Sequence, residues 1–277
     1  MRSVSEALMT DSDLTLVVTA HRIDHLEEAL GSVVEQGTDS FSLVLVADST
    51  GDPAVSQRLA DFARRWTRSS ASALSVSGGS GGAVRNFGIE ASSTSWVTYL
   101  DGDDVLAPNA MEVAVSATAS DEADIYLSGV WYIDIGGQSI AVPTSVSDRP
   151  TTHLYLQDPD LAGRCPHLFQ LIVMRRDVWL EYPYYLGGPG EDLDFILHHL
   201  VRHRVRRIPQ MLYGHRRILD GFSERGRRKG EPQAICPCPC SQRYRAGYYR
   251  DLLGRLEPVA ASNFSSAFVL RKFAEPR

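Results

Sequence analysis

Short apolar runs alternate with amphipathic ones through the first half of the chain, and no other feature narrows the fold as much. LTLVVTA (14–20) reads as a buried strand. DHLEEALGSVVEQ (24–36) then sets Leu26, Ala29, Leu30, Val33 and Val34 on one helical face, with Asp24 as a cap. FSLVLVAD (41–48) is a second strand, 53–67 a helix, ALSV a third strand and 83–91 a helix. WVTYL (96–100), a helix over 108–119 and the strand DIYLSGVWYI (124–133) continue the pattern. Strands that are apolar almost throughout are covered on both faces. The predicted fold class is therefore α/β, Rossmann-like, with a mostly parallel central sheet and helices on both faces.

The second half is less regular. LFQLIVMRRDVWLEY (168–182) reads as a strand and a short helix, and GGPGEDLDFILHHLVRH (187–203) as a glycine-rich loop feeding a helix. VRRIPQMLYGHRRI (205–218) is a strand interrupted by a proline, and a helix around 241–256 follows an arginine- and glycine-rich stretch. There is no internal repeat and no long linker. One domain over 1–225, with halves of about 13–107 and 108–225, and a C-terminal extension over 226–277 is the simplest division.

A chain of 277 residues, 43% hydrophobic and 22% charged, has the composition of an ordinary soluble globular protein. Its net charge of −6 argues against general nucleic-acid binding. No signal-like leader and no apolar run of membrane-spanning length occurs, so a cytoplasmic location is expected. Of the four cysteines, Cys236, Cys238 and Cys240 crowd into CPCPC, which is no disulfide framework. Its spacing is also too tight for the usual zinc site, leaving a loop or a thiol-sensitive lid as readings.

Chemistry enters at YLDGDDVLAP (99–108). Ligands of doubly wound sheets bind beyond the carboxyl ends of the strands, and Asp48 and the Asp101–Asp104 cluster stand at two such ends. An Asp-rich turn is also a common solvated loop, so position on a shared rim is what favours a site. The usual phosphate cradles are missing: there is no GxxxxGK[ST], and SGGSGG does not complete GxGxxG. A hard divalent cation on carboxylate oxygens is the other way to neutralise a diphosphate. DGDD supplies such oxygens, and Asp101 can also bond ribose hydroxyls.

The ordered set VVTAHR (17–22), VLVADSTGD (44–52), GGAVRNFGIEAS (81–92), YLDGDDVLAP and GGPGEDLDF (187–195) resembles the family 2 glycosyltransferases of GT-A fold, over roughly residues 13–225. The resemblance implies an inverting transfer of sugar from a nucleoside diphosphate sugar, of UDP type, to an acceptor hydroxyl, helped by Mn²⁺ or Mg²⁺. It implies nucleotide contacts from Thr19, His21, Asp48, Arg85, Asp101 and Gly102. Asp103 becomes the principal metal ligand, with Asp101 sharing and His215 completing the set. Asp192 becomes the general base, with Glu191 beside it, and Arg217 a phosphate contact. Asp104 is left to orient the loop. The QxxRW signature of processive members is absent, which favours single transfers.

Plainer roles compete with several of these. Asp192 also suits a helix N-terminus, Arg85 a surface ion pair and His215 a structural position. HHLVRHRVRR (198–207) reads as a solvated helix end leading into a strand, with Arg206 and Arg207 left as contacts to an anionic acceptor. Trp131 and Tyr132 are either core or an acceptor platform. The acceptor is a small molecule, a peptide or a glycan, and homodimerisation is left open. Two other functions share the fold type: a non-catalytic sugar-nucleotide or glycan-binding module, and a sugar-1-phosphate nucleotidyltransferase. The latter wants a glycine-rich basic loop after the first strand, where this chain has TAHRIDHL.

Overall fold

Four parallel strands form the half of the sheet that matters most for the site. The computed structural model describes residues 13–78, 80–120, 122–141, 171–184, 195–196, 198–199 and 202–216. Strands β1 (Leu14–Ala20), β2 (Ser42–Asp48), β3 (Ala71–Val76) and β4 (Trp96–Asp101) pair in the order β3-β2-β1-β4. All three of these pairings are parallel. They alternate along the chain with α1 (Leu26–Val34), α2 (Pro53–Arg65) and α3 (Gly81–Ala91), the crossover arrangement that parallel pairing requires.

Side-chain alternation sends neighbouring strand residues to opposite faces. Leu14, Leu16 and Val18 of β1 and Leu43 and Leu45 of β2 pack with Leu26, Ala29, Leu30 and Val33 of α1 and Leu59 and Phe62 of α2. Gly88 of α3 sits against Val17 and Val46, on the other face. Both faces are therefore covered, as continuously apolar strands require. Asp52 caps α2 by accepting the Ala54 N–H at 2.9 Å. Helix α1 starts later than Asp24: its N-cap is His25, in the left-handed region at φ 65°, and no side chain caps it.

Beyond β4 the sheet becomes mixed. It continues through β8 (Ile172–Arg175), β6 (Ile125–Ile133), β9 (Val205–Arg216) and β5 (Val105–Leu106), with β7 (Ser139–Ala141) beside β6. β8 runs antiparallel to both β4 and β6, whereas β6 and β9 are parallel. Helix α4 (Ala110–Ala119) precedes β6, and α5 (Arg176–Glu181) follows β8 directly. Pro209 does not end β9: the β6–β9 register shifts between Leu127 and Val130, and the strand absorbs the proline at that irregularity. No described helix is long and apolar enough to cross a membrane. Cys165, the CPCPC segment and the 241–256 helix lie outside the described residues.

Candidate active site

Asp48 and Asp101 end β2 and β4, the two strands that pair within the parallel half through β1. The register sets Thr19 of β1 opposite Asp101, so both carboxylates stand on one rim. The Asp48 Oδ1 accepts the Thr50 N–H at 3.0 Å, the Thr50 hydroxyl at 2.8 Å and the Gly78 N–H at 3.4 Å. Its Oδ2 lies 3.5 Å from Nδ1 of the exposed His21. Burial works to raise the Asp48 pKa, but these donated bonds and His21 outweigh it and hold the carboxyl below its ordinary value. His21 and Asp48 thus frame one side of the rim.

The four residues Asp101–Asp104 divide sharply. Asp101 accepts Arg85 Nε at 3.1 Å on Oδ1 and Arg85 Nη2 at 2.6 Å on Oδ2, and the Thr19 hydroxyl at 3.0 Å. Arg85 is buried, and its guanidinium lies 4.5 Å from the Tyr99 ring centroid and 5.1 Å from that of Tyr184. The expected nucleotide residue therefore reaches the rim through Asp101. Gly102 donates its N–H to the Thr19 carbonyl at 2.7 Å, and a Cβ there would lie 2.9 Å from that same oxygen. Only glycine lets the loop leave β4 so close to β1.

Asp104 is 1% exposed and saturated: Oδ2 accepts the Tyr213 hydroxyl at 2.7 Å and His215 Nδ1 at 3.2 Å, and Oδ1 accepts the Arg216 N–H at 2.7 Å. These bonds tie the loop after β4 to β9. Tyr213 also accepts the Asp101 N–H at 3.2 Å, bridging the two ends of the loop. Bonding to a carboxylate makes Nδ1 of His215 the donor, which fixes the tautomer whose Nε2 carries the lone pair. Burial opposes charge on this imidazole, yet Asp104, Asp103 and Asp101 together raise its pKa above the ordinary value.

Asp103 differs from both neighbours. Among the described residues no side chain donates to its half-buried carboxylate. Burial, then Asp104 and Asp101, push its pKa up to about 7, with His215 pulling the other way. Among the described residues Asp101 pairs with Arg85 and Asp104 with His215, and none forms an ion pair with Asp103. Among the described residues no three His, Cys, Asp or Glu side chains form a ready-made metal cage.

The remaining expected residues separate clearly. Glu191, Asp192 and Arg217 lie outside the described residues. Tyr184 and Phe195, on either side of segment 185–194, stack with centroids 4.2 Å apart. Asn86, next to Arg85, grips that junction: it donates to the Tyr184 carbonyl at 3.1 Å and accepts the Tyr184 N–H at 3.0 Å and the Trp179 indole N–H at 3.2 Å. Trp131 occupies the space a side chain at Gly214 would take. Because Tyr213 and His215 both reach Asp104, Gly214 between them faces the other way, and Trp131 lies on the face away from the acidic loop. Tyr132 instead meets His215 edge-on at 6.0 Å.

Arg207 pairs with Leu127, whereas Arg216 pairs with Ile133, so β6 carries Arg207 about 20 Å back from the rim at ~3.3 Å per residue. Arg206 there pairs with Glu122, and Arg204 and Arg175 pair with Asp124. The basic stretch serves the far end of the sheet. Tyr213 and Arg216 escaped sequence reasoning, although the alternation of Tyr213 and His215 in LYGHRR is a usable signal for residues sharing a face.

A glycosyl transferase family 2 model matches residues 15–178 of the chain. Among solved structures, Staphylococcus aureus TarS 1–349 in complex with UDP-GlcNAc is 14% identical, with a TM-score of 0.59 over 94% of this chain and 71% of that one. The complex of TarS 1–349 with UDP is 16% identical, with a TM-score of 0.58 over 76% of this chain and 62% of that one. TarS itself gives a TM-score of 0.58 at 15% identity over 90% of this chain, which spans only 43% of it. At these identities the likeness is one of fold. No curated protein sequence matches significantly. With the family pattern covering strands β1 to β8 and the acidic rim between them, the chain belongs to glycosyl transferase family 2.

Proposed function

We propose that the chain moves a sugar from a nucleoside diphosphate sugar, a UDP-sugar, onto an acceptor hydroxyl in single, inverting transfers. The observation that carries this reading is the division within DGDD. Asp101 is paired with Arg85 and Asp104 is saturated by the protein, while no described side chain donates to Asp103, whose pKa burial and the two neighbouring carboxylates push up to about 7. A carboxylate in that state suits a divalent cation.

The residues fit Mn²⁺ or Mg²⁺. Such ions take one or two carboxylates and leave the rest of the shell to phosphate oxygens and water, so a full protein cage is not required. Asp103 would be the principal ligand and Asp101 a secondary one. His215, its Nδ1–H held by Asp104, has the second-shell support typical of a ligating imidazole. When bound, the cation supplies electrostatic stabilisation of the departing diphosphate.

The chain's own groups supply the rest. Asp48 and His21 frame the base and ribose end of the donor, and Gly102 lets the loop approach it. Arg85 holds the Asp101 carboxylate in place through both of its oxygens. Asp192, with Glu191 beside it, takes the proton of the acceptor hydroxyl as it attacks the anomeric carbon from the face opposite the leaving diphosphate. A base so placed contributes about 10²–10⁴-fold. Arg217 is kept as a phosphate contact, whereas Arg207, set back from the rim along β9, is not kept as a contact to an anionic acceptor.

UDP-GlcNAc is the first donor to test, since a solved structure of this fold holds it. The measurement is UDP release with Mn²⁺ across a panel of small, peptide and glycan acceptors, for the wild type and Asp192→Asn. The variant should bind UDP as the wild type does and lose transfer by at least about 10²-fold. Transfer surviving in the variant would remove Asp192 as base. UDP binding without transfer to any acceptor, by the wild type too, would favour a binding module.

A further inference from the structure

Arg216 is the least exposed charged side chain near the rim, and the proposed transfer gives it no part. Its side chain is 0% exposed. Nε donates to the carbonyl of Asp103 at 2.8 Å. Nη1 donates to the carbonyls of Asp134 at 2.9 Å and Ile135 at 3.3 Å, and Nη2 to Glu28 Oε2 at 2.6 Å. Its backbone N–H holds the Asp104 carboxylate. One residue thus grips two consecutive members of DGDD, by main chain and side chain at once.

The fork geometry depends on the surrounding turn. Asp134 Oδ1 accepts the N–H groups of Gly136 and Gln138 at 2.8 and 2.9 Å, and Gly137 adopts φ 80°. That turn aims two carbonyls at the guanidinium. Glu28, on α1, supplies the opposite charge that a buried arginine needs. The chain between β1 and α1 carries His21, so the same ion pair ties the His21 side of the rim to the acidic loop.

The geometry points to Arg216 as a positioning residue for cation binding, acting through the Asp103 carbonyl and the Asp104 carboxylate, with Glu28 as its counter-charge. Holding the peptide between Asp103 and Asp104 at one end and the Asp104 carboxylate at the other sets the backbone from which the Asp103 carboxylate projects. A phosphate-binding role does not suit this guanidinium, because four protein acceptors already surround it. The inference rests on the proposed reading of Asp103 as the principal metal ligand.

The test is Mn²⁺ binding followed by electron paramagnetic resonance in the presence of UDP, with UDP affinity measured by calorimetry with and without Mn²⁺. The proteins are wild type, Asp103→Asn, Arg216→Lys and Glu28→Gln. Lysine keeps the charge but cannot reproduce the fork. Arg216→Lys should bind Mn²⁺ at least about tenfold more weakly while keeping metal-free UDP affinity within about twofold, a split that general loosening of the fold would not give. Glu28→Gln should weaken Mn²⁺ binding in the same direction by a few-fold, and it decides the matter if Arg216→Lys does not fold. Asp103→Asn losing Mn²⁺ while both Arg216→Lys and Glu28→Gln match the wild type would overturn the inference alone. Mn²⁺ binding undiminished in Asp103→Asn would instead overturn the ligand reading, and this inference with it.

Discussion

Arg85→Met removes the arginine that pairs with Asp101 and so tests how the rim tolerates its acidic residues. The arginine is buried, bonds both oxygens of Asp101 and lies over Tyr99 and Tyr184. Methionine keeps much of the stem's packing and deletes the charge. Each hydrogen bond to a charged group contributes about 1.5–3 kcal/mol, and a desolvated cation–π contact about 2. The net loss is governed by the carboxylate left behind, and stranding one member of a buried pair costs about 3–5 kcal/mol. Asp101 keeps the Thr19 hydroxyl, and 23% of its side chain stays exposed, so water recovers part of that cost. A loss of about 2–3 kcal/mol follows, or about 4–12 °C in Tm for a chain of this size. Urea unfolding of wild type, Arg85→Met, Asp101→Asn and the double variant gives the pair's coupling energy. A coupling of about 2 kcal/mol is expected, because Asp101→Asn removes the stranded charge. A coupling indistinguishable from zero, with Arg85→Met losing under about 0.5 kcal/mol, would refute the claim that this pair organises the rim.

Other perturbations probe neighbouring parts of the same structure. Gly102→Ala puts a Cβ 2.8 Å from the Cβ of Ala20 and 2.9 Å from the Thr19 carbonyl, so the acidic loop must shift, and calorimetry should show UDP binding weakened by at least about tenfold. Asn86→Ala strands the backbone of Tyr184 and the indole N–H of Trp179; urea unfolding should show a loss of about 2–4 kcal/mol, with a change in tryptophan emission. His199 gives a pH prediction. Burial drives its pKa from 6.5 down to about 3, against the bond its Nε2–H makes to the Tyr182 carbonyl and with help from His198, His203 and Arg202. The folded state keeps it neutral while the unfolded chain takes a proton below pH 6.5. Its contribution to stability is therefore complete above that value and declines by up to about 1.4 kcal/mol per pH unit as pH falls towards 3. His199→Phe should flatten the fall in unfolding free energy between pH 6 and 4; an unchanged slope would contradict the assignment.

The parallel half of the sheet is legible because its strands are buried on both faces, and such strands announce themselves as unbroken apolar runs. Asp48 and Asp101 follow from that pattern, since strand ends on one rim are determined once the strands are parallel. The separate fates of Asp101, Asp103 and Asp104 are not legible. They depend on Arg85, brought in by α3, and on Tyr213, His215 and Arg216, brought in by β9 more than a hundred residues along the chain. Local rules also misplace Pro209 as an interruption, because a register shift between β6 and β9 that accommodates it is a property of the pair. Arg207 shows the same limit: closeness in sequence to the rim's arginine says nothing about which end of a twelve-residue strand it occupies.

Calorimetric titration of UDP into the wild type and Asp103→Asn, each with and without Mn²⁺, tests the central claim most directly. The acidic rim should bind UDP far more tightly with Mn²⁺ than without, and Asp103→Asn should bind UDP with the weak affinity of the metal-free wild type whether or not Mn²⁺ is present. UDP binding that Mn²⁺ does not strengthen, or a Mn²⁺ effect that survives Asp103→Asn, would contradict it.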